Sequence, residues 1–289
     1  MTMERFWQSD LWRFARRRPA MLFGFAVIAV NLFLAFLGPS IAPYPIEAPS
    51  GASLLPPGGA HWFGTDVSGL DIFSRILAAP RVDLTIALIS TFIAFIGGVA
   101  LGVVSGFFAE GDRTGRMASA LIMRTADVVQ AFPMFVFALA LVGLSGPSTR
   151  NVIIALAFLN IPFFLRLTRS AVLQVRSRAF VEAAFCAGNA PMRAAFVHVM
   201  PNALAPPLVH FSTTIGFSIL LTAGLSFVGA GVPPPTAELG LMIRIGAQNM
   251  MTGQWWTALF PGLFLALTVL AFSLFGDNLR VFLDPMNRR

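Results

Sequence analysis

The sequence predicts an all-α polytopic membrane protein with six transmembrane helices. Hydrophobic residues make up 56% of the 289 positions and charged residues only 11%, whereas a soluble domain usually carries about 25% charged residues. Several apolar runs approach or exceed the length of about 20 residues that a helix needs to cross a bilayer. The runs are continuous and do not alternate, so they indicate helices and exclude the strands of a membrane barrel.

Residue composition excludes several kinds of chemistry. All twenty basic residues are arginine, so the chain has neither a Schiff-base lysine nor the Walker A lysine of a P-loop ATPase. The single cysteine, Cys186, excludes an intramolecular disulfide and a cysteine-based zinc site. The three histidines are far apart and lack metalloprotease spacing. We therefore expect no metal site and no cofactor in this chain.

The N-terminal part combines a basic start, an apolar run over residues 20–37 and a Pro/Gly-rich stretch over residues 38–80. The run is longer than the apolar core of a cleaved signal peptide, which favours an uncleaved first span over that alternative. The Pro/Gly-rich stretch is typical of a loop or linker. Residues 71–77 form a short amphipathic piece before the next span.

Five further spans are predicted from the apolar runs. The second, fourth, fifth and sixth spans cover residues 84–108, 152–167, 203–227 and 256–275, and the third runs to about residue 144 with its apolar part starting near residue 128. The second carries Gly98, Gly102 and Gly106, a spacing that lets another helix approach closely; packing within the bundle is favoured over a dimerisation face. Arg124 and Asp127 at the start of the third span are three residues apart and can pair on a helix.

The distribution of arginine predicts the orientation. Six spans place both termini on one side of the membrane. Four arginines fall on the opposite side, namely Arg75, Arg81, Arg150 and Arg244, and the other 16 fall on the side of the termini. By the positive-inside rule the termini are cytoplasmic. The same distribution accounts for the net charge of +7 without a nucleic-acid partner.

The segment between spans four and five is long and amphipathic. The run Glu182-Ala183-Ala184 favours a helix with a small-residue face. Gly188 can turn the chain, Asn189 suits a cap, and Pro191 suits the first turn of a second helix that ends near residue 199, before Pro201. This pattern predicts a helix–turn–helix at the cytoplasmic surface, with a surface amphipathic linker as an equally supported alternative.

The same segment resembles a known motif. Glu182, Ala183, Ala184, Gly188, His198 and Pro201 match the EAA loop of type I ABC importer permeases. In that family this loop is the coupling helix that docks into a cleft of the ATP-hydrolysing subunit, so the resemblance implies that role for these six residues. The broad pattern has Ile and Leu where this chain has His198 and Met200, and the histidine is typical of the peptide-permease branch.

Other segments are similar to the C-type subunit of dipeptide and oligopeptide permeases. They are HWFGTDVSGLDIFSR (61–75), MRTADVVQAFP (123–133), LSFVGAGVPPP (225–235), FPG (260–262) and FGDNLRVFLDP (275–285). Two positions depart from that branch, because Leu70 stands where Arg is common and Leu239 where Trp is common. Both lie on the predicted outer side.

The resemblance implies a type I ABC importer permease (MetI-like) fold with an additional N-terminal helix. Residues 1–80 would comprise the cytoplasmic N-terminus, first helix and external segment; residues 81–284 a five-helix core with its coupling loop at about 169–201; and residues 285–289 a cytoplasmic tail. It implies a multi-pass protein of the bacterial inner membrane, half of an alternating-access pathway for di- or oligopeptides or related solutes such as glutathione or chelated nickel.

The resemblance also implies the partners. They are a paralogous permease subunit, two ABC ATPase subunits that hold ATP and Mg²⁺, and an extracytoplasmic solute-binding protein. No covalent chemistry is implied for this chain, so it would not be an enzyme.

Span five carries a polar ridge at intervals of four residues. Its members are His210, Thr214, Ser218, Thr222 and Ser226. Polar groups in a span usually face the bundle or a water-filled cavity, so the first four are candidates for lining the translocation path. The alternative is that the hydroxyls bond to carbonyls one turn back or join helices together.

Two other functions have less support in the sequence. A secondary transporter working without ATPase subunits would need ionisable groups at mid-span, and the span centres are nearly free of Asp and Glu. An intramembrane enzyme would need a converging nucleophile and base. His210 with a serine of the same span offers only a weak version of that arrangement.

Overall fold

The computed structural model describes residues 18–283, and these residues form helices joined by loops. The elements are α1 (Pro19–Ile41), α2 (Ile72–Phe107), α3 (Arg113–Gln130), α4 (Met134–Ser145), α5 (Thr149–Arg176), α6 (Ala179–Cys186), α7 (Pro191–Arg193), a π-helical turn (Ala194–Val199), α8 (Met200–Ala203), α9 (Ala205–Val228), α10 (Leu239–Met250) and α11 (Trp256–Leu283). Five of them, α1, α2, α5, α9 and α11, are long and apolar enough to cross a membrane. The predicted all-α membrane class is confirmed.

The predicted third span is broken. Helices α3 and α4 meet at an angle of 87°, and six spans are reached only if this bent pair counts as one. Pro133 separates the two helices because a proline disfavours helical conformation in the residue before it. The 12 residues of α4 rise only about 18 Å, well short of the roughly 30 Å hydrocarbon core. The third predicted span, which runs to about residue 144, is therefore a bent pair of helices and not one straight helix.

Several other helices are longer than the sequence predicts. Helix α2 starts at Ile72 and absorbs the amphipathic piece predicted separately, because Asp71 caps it by accepting a hydrogen bond from the Ser74 backbone nitrogen at 2.7 Å. Helix α5 continues through the buried Pro162 to Arg176. The amphipathic stretch predicted from residue 169 therefore begins inside a membrane helix.

Helices α2 and α5 pack closely through the three spaced glycines. A Cβ atom added at Gly102 would lie 2.8 Å from the Leu165 carbonyl oxygen, and one at Gly106 would lie 3.0 Å from the Arg169 carbonyl oxygen. One at Gly98 would meet the Cβ atom of Phe164. The glycines therefore serve packing inside the bundle, as small residues commonly do in membranes.

The bundle has two ends, which we call the loop end (with residues 177–204) and the Pro-rich end (with residues 42–71). Helix α2 runs from the Pro-rich end to the loop end, where Phe107 packs in a cluster with residues of the π-helical turn. Arg18 donates a hydrogen bond to Asn278 at 3.4 Å, which places the start of α1 beside the last helix. Residues 1–17 and the predicted tail 285–289 lie outside the described residues.

The Pro-rich segment is packed against the helices. His61 Nδ1 lies 2.8 Å from Asp71 Oδ1, and both side chains are buried. The Tyr44 hydroxyl donates to the Ala60 carbonyl at 2.7 Å. Buried Arg75 donates to the Ile46 carbonyl at 3.3 Å and to the Thr236 carbonyl at 3.2 Å. These bonds tie the loop predicted at residues 38–80 to α2 and to the segment before α10.

Two carboxyl groups are buried near this end, on α2 and before α10. Glu238 caps α10 by accepting hydrogen bonds from the backbone nitrogens of Gly240 at 2.9 Å and Leu241 at 2.7 Å. Burial raises the pKa of Glu238 above its usual range, and these two bonds partly oppose the rise. Asp83 lies close enough to Glu238 for the two carboxyl groups to interact electrostatically.

The helix packing gives a direct test. Gly102→Ala is expected to destabilise the protein by about 1–3 kcal/mol, because its methyl group overpacks the α2–α5 contact. Gly262→Ala is the control, since a Cβ there meets nothing within 4 Å and alanine favours a helix by about 1 kcal/mol over glycine. Thermal unfolding of the purified transporter in detergent should separate the two variants; equal melting temperatures would contradict the packing argument.

Candidate functional site

The segment after α6 is a tight helix–turn–helix. Gly188 has φ of +81°, its backbone nitrogen donates to the Phe185 carbonyl at 2.9 Å, and the Asn189 nitrogen donates to the Ala184 carbonyl at 3.1 Å. This is the hydrogen-bond pattern with which a left-handed glycine ends a helix. The Asn189 side chain also donates to the Ala184 carbonyl at 2.9 Å, so it caps the first helix and not the second. The turn predicted at Gly188 is confirmed.

The EAA residues divide between two faces of α6. Ala184 is buried, while Glu182 and Ala183 are exposed. The neighbouring Val181 is 2% exposed and belongs to a cluster with Phe107 at the end of α2. No ion pair joins Glu182 to Arg178 in the part of the chain that the structure describes. Glu182 therefore presents its charge outward, and the buried face fixes α6 to α2.

The second half of the motif extends further than predicted. The chain stays helical from residue 191 to residue 203 and passes through Pro201 instead of ending near residue 199. Pro201 is tolerated because it falls in the first turn of α8, where its missing N–H is not needed. His198 is half-buried in the π-helical turn, and its carbonyl accepts a hydrogen bond from the Asn202 side chain at 2.8 Å.

The tip of this motif is a projecting surface with small and apolar residues. A Cβ atom added at Gly188 would meet nothing within 4 Å. Phe180, Phe185 and Met192 are between 38% and 52% exposed, and the Phe185 ring lies 6.2 Å from that of Phe107. Such a surface suits insertion into a cleft of another protein, and its base is packed on the end of a membrane helix.

The polar ridge of α9 lies inside the bundle. Thr214, Ser218 and Thr222 are at most 4% exposed, and His210 is half-buried. The hydroxyls of Thr214 and Thr222 donate to carbonyls one turn back, at 2.8 Å in both cases, and the Ser218 hydroxyl lies 3.3 Å from that of Thr91 on α2. These contacts are those of helix packing, and a path-lining role for the ridge stays a prediction.

A cavity of about 520 Å³ lies at the bend between α3 and α4. Its polar residues are Asp127, Gln130 and Arg166. The Arg166 Nη2 atom lies 2.6 Å from Asp127 Oδ1, whereas the Arg124–Asp127 pair expected from the sequence is longer, at 3.9 Å. This pair was not predicted from the sequence, although an arginine near the end of an apolar span is the signal that would have indicated it.

No group of three or more His, Cys, Asp and Glu side chains within residues 18–283 is arranged to hold a metal ion. The structure thus places the EAA residues together on one projecting motif. The ridge of α9 and the cavity at the α3–α4 bend are separate features of the bundle.

Comparison with known families identifies the architecture. Residues 98–289 match the family described as "Binding-protein-dependent transport system inner membrane component". Residues 5–57 match the "N-terminal TM domain of oligopeptide transport permease C". The additional N-terminal helix α1 falls within this second match.

Individual permease proteins are similar to this chain over most of its length. The chain is 38% identical to a probable D,D-dipeptide transport system permease protein of Escherichia coli (strain K12), covering 90% of this chain and 85% of that protein. It is 39% identical to a di/tripeptide transport system permease protein of Pseudomonas aeruginosa (strain UCBPP-PA14), covering 98% and 92%. It is 37% identical to a glutathione transport system permease protein of Pectobacterium atrosepticum, covering 96% and 91%.

Among solved structures, an inward-facing MetNI methionine ABC transporter aligns with a TM-score of 0.57 at 20% identity, over 70% of this chain and 93% of that one. This likeness shows the fold, and the predicted type I permease architecture is confirmed. The chain belongs to the family of inner membrane components of binding-protein-dependent transport systems, and it is a multi-pass permease subunit of an ABC importer and not an enzyme.

Proposed function

We propose that this permease imports di- or oligopeptides or closely related small solutes. The support is that relatives 37–39% identical over nearly the whole chain are named for D,D-dipeptide, di/tripeptide and glutathione transport. The chain would supply half of the translocation pathway and pair with a paralogous permease subunit. A solute-binding protein would deliver the solute at the Pro-rich end.

The projecting turn at Gly188 is the observation on which the coupling proposal rests. We infer that Glu182, Ala183, Ala184, Gly188, His198 and Pro201 form the coupling motif. It would dock into a cleft on one of two ABC ATPase subunits, which hold the ATP and Mg²⁺. Exposed Glu182 would meet the ATPase surface directly, while the open space beside Gly188 admits the wall of the cleft.

The packing of the motif suggests how motion reaches the membrane. Val181 and residues of the π-helical turn share one apolar cluster with Val103 and Phe107 of α2. Closely packed clusters move as units because separating them would open a void. Closure of the ATPase subunits would therefore shift the loop end of α2 and switch the bundle between outward-open and inward-open states.

The proposed orientation places both termini and the loop end in the cytoplasm. Helix α2 runs between the two ends and separates the four arginines at residues 75, 81, 150 and 244 from Arg176 and Arg178 at the loop end. The positive-inside rule then assigns the loop end to the cytoplasm. The Pro-rich end would face the exterior.

Coupling is tested by substitution at the turn. Gly188→Val forces a β-branched residue to φ of +81° and fills the open space, and Glu182→Lys reverses the exposed charge. Both variants are expected to insert and pair with the second permease, and to lose ATPase-subunit attachment or solute-stimulated hydrolysis by about tenfold. The measurements are subunit content and hydrolysis rate of the purified complex.

Gly253→Val is the matched control for that test, since Gly253 also has positive φ and open space but lies between α10 and α11. The Gly253→Val variant should keep ATPase-subunit attachment and solute-stimulated hydrolysis. Wild-type subunit content and wild-type stimulated hydrolysis in Gly188→Val and Glu182→Lys would show that this motif does not couple the subunits.

Orientation is tested by single-cysteine labelling in a background without Cys186. Gly59→Cys, in open space at the Pro-rich end, should react with an impermeant maleimide added outside intact spheroplasts. Ala190→Cys, exposed at the turn, should react only after permeabilisation. The reverse pattern would invert the proposed topology.

The ridge of α9 has its own test. If it lines the path, Thr214→Leu and Ser218→Leu should reduce solute uptake several-fold while subunit content stays intact. Phe217→Leu, on the exposed face of the same helix, is the control and should transport normally. Normal uptake in both ridge variants, or loss of assembly, would assign the hydroxyls to helix packing.

A further inference from the structure

The cavity at the α3–α4 bend contains an ion pair that neither the coupling motif nor the ridge explains. Arg166 lies ten residues before the end of α5 at Arg176, which is about 15 Å along the helix axis. Its guanidinium therefore sits within the length of a membrane-spanning helix. Arg166 lies near the loop-end boundary of the predicted span 152–167, and charged groups within a span normally face the bundle interior or a water-filled space and mark a pathway.

The pair is too exposed to serve mainly as a structural link. The side chains of Arg166 and Asp127 are 45% and 44% exposed within this chain. Half-exposed ion pairs contribute little to stability. Stability alone therefore does not explain why an arginine and an aspartate occupy these two positions.

The local charge balance favours a negatively charged ligand. Asp127 is shared by two arginines, since its second oxygen lies 3.9 Å from Arg124 while its first is bound to Arg166. Two positive charges thus face one negative charge. The carboxylate of a solute could bind Arg166 in place of Asp127, and Asp127 would still have Arg124 as a counter-ion.

The guanidinium of Arg166 also has N–H donors that the bond to Asp127 does not use. Within residues 18–283, Arg166 donates one side-chain hydrogen bond, to Asp127. Arginine carries five N–H donors in a planar fork that matches a carboxylate with two parallel bonds. The remaining walls are largely apolar, with Phe132, Pro133 and Phe163 around the Gln130 amide, so water would compete less with such a contact than in bulk solution.

We propose that Arg166 is a carboxylate-binding residue of the translocation path, which briefly holds the free C-terminal carboxylate of a passing peptide. Asp127 acts as the positioning counter-ion: it orients the guanidinium when the path is empty and pairs with Arg124 when the solute carboxylate replaces it. The proposal rests on the peptide import proposed above, and it adds the residue that would hold one end of the solute inside the membrane.

The test uses the complete transporter with its binding protein in proteoliposomes. The probe is a mixture of isotope-labelled di- and tripeptides with free C-termini, and uptake and ATP hydrolysis are measured together. Arg166→Gln is expected to lower the peptide transported per ATP about tenfold, with binding-protein-stimulated hydrolysis within about twofold of wild type. Arg166→Lys should recover part of the loss, because it keeps the charge but not the fork.

Asp127→Asn separates carboxylate binding from a structural ion pair. If Arg166 binds solute, Asp127→Asn removes its competitor, and uptake should fall much less than in Arg166→Gln or should rise. If the pair only ties α3 to α5, both variants should fail equally. Arg113→Gln, at the exposed start of α3, is the control.

The outcomes distinguish the two proposals. Absence of uptake by the wild-type transporter would overturn the peptide solute proposed above. If the wild-type transporter takes up peptide normally, two results would overturn only the role of Arg166: unchanged uptake in Arg166→Gln, or an equal loss of uptake in Asp127→Asn. Loss of the second permease from the Arg166→Gln complex would also overturn this role, because it would make the cavity an interface between permeases.

Discussion

The close approach of α2 and α5 at Gly98, Gly102 and Gly106 determines where the other helices can lie. Because there is no side chain between the two backbones, α2 and α5 form a narrow central pair. On one side of this pair, α4 packs its Ala138 and Val142 against the first half of α5. At the loop end, the coupling motif packs on the same pair. Each functional feature therefore takes its position from this contact.

Internal polar groups of the bundle that form hydrogen bonds do so in two different ways. Hydroxyl groups such as those of Thr214 and Thr222 bond to their own helix, which costs nothing in assembly and allows polar residues at tightly packed positions. Charged groups need partners from elsewhere in the chain, as Arg75 does at the carbonyls of Ile46 and Thr236. The Asp127–Arg166 pair is different because both of its members remain half-exposed.

Local chemistry made much of the fold predictable. Apolar runs placed the spanning helices, and the glycine requirement placed the turn at Gly188. The bend at Pro133 was missed because hydropathy continues across it, and the polar ridge of α9 could not be assigned to the interior because its orientation depends on α2. Asp127 and Arg166 are 39 residues apart, so only tertiary structure brings them together. Asp83 was overlooked for the same reason, since its neighbour Glu238 is contributed by a distant loop.

The length of α2 has a mechanical consequence. Its 36 residues extend about 54 Å, far more than the roughly 30 Å of hydrocarbon it crosses. One continuous rod therefore reaches from Ile72, packed beside α10 and Trp256, to Phe107, packed beside the coupling motif. Because the glycine contact with α5 lies close to Phe107, a small change in the tilt of α2 displaces its far end at Ile72 more than its loop end. A displacement at one membrane surface can thus reach the other through α2 itself, without a chain of rearranging side chains between them.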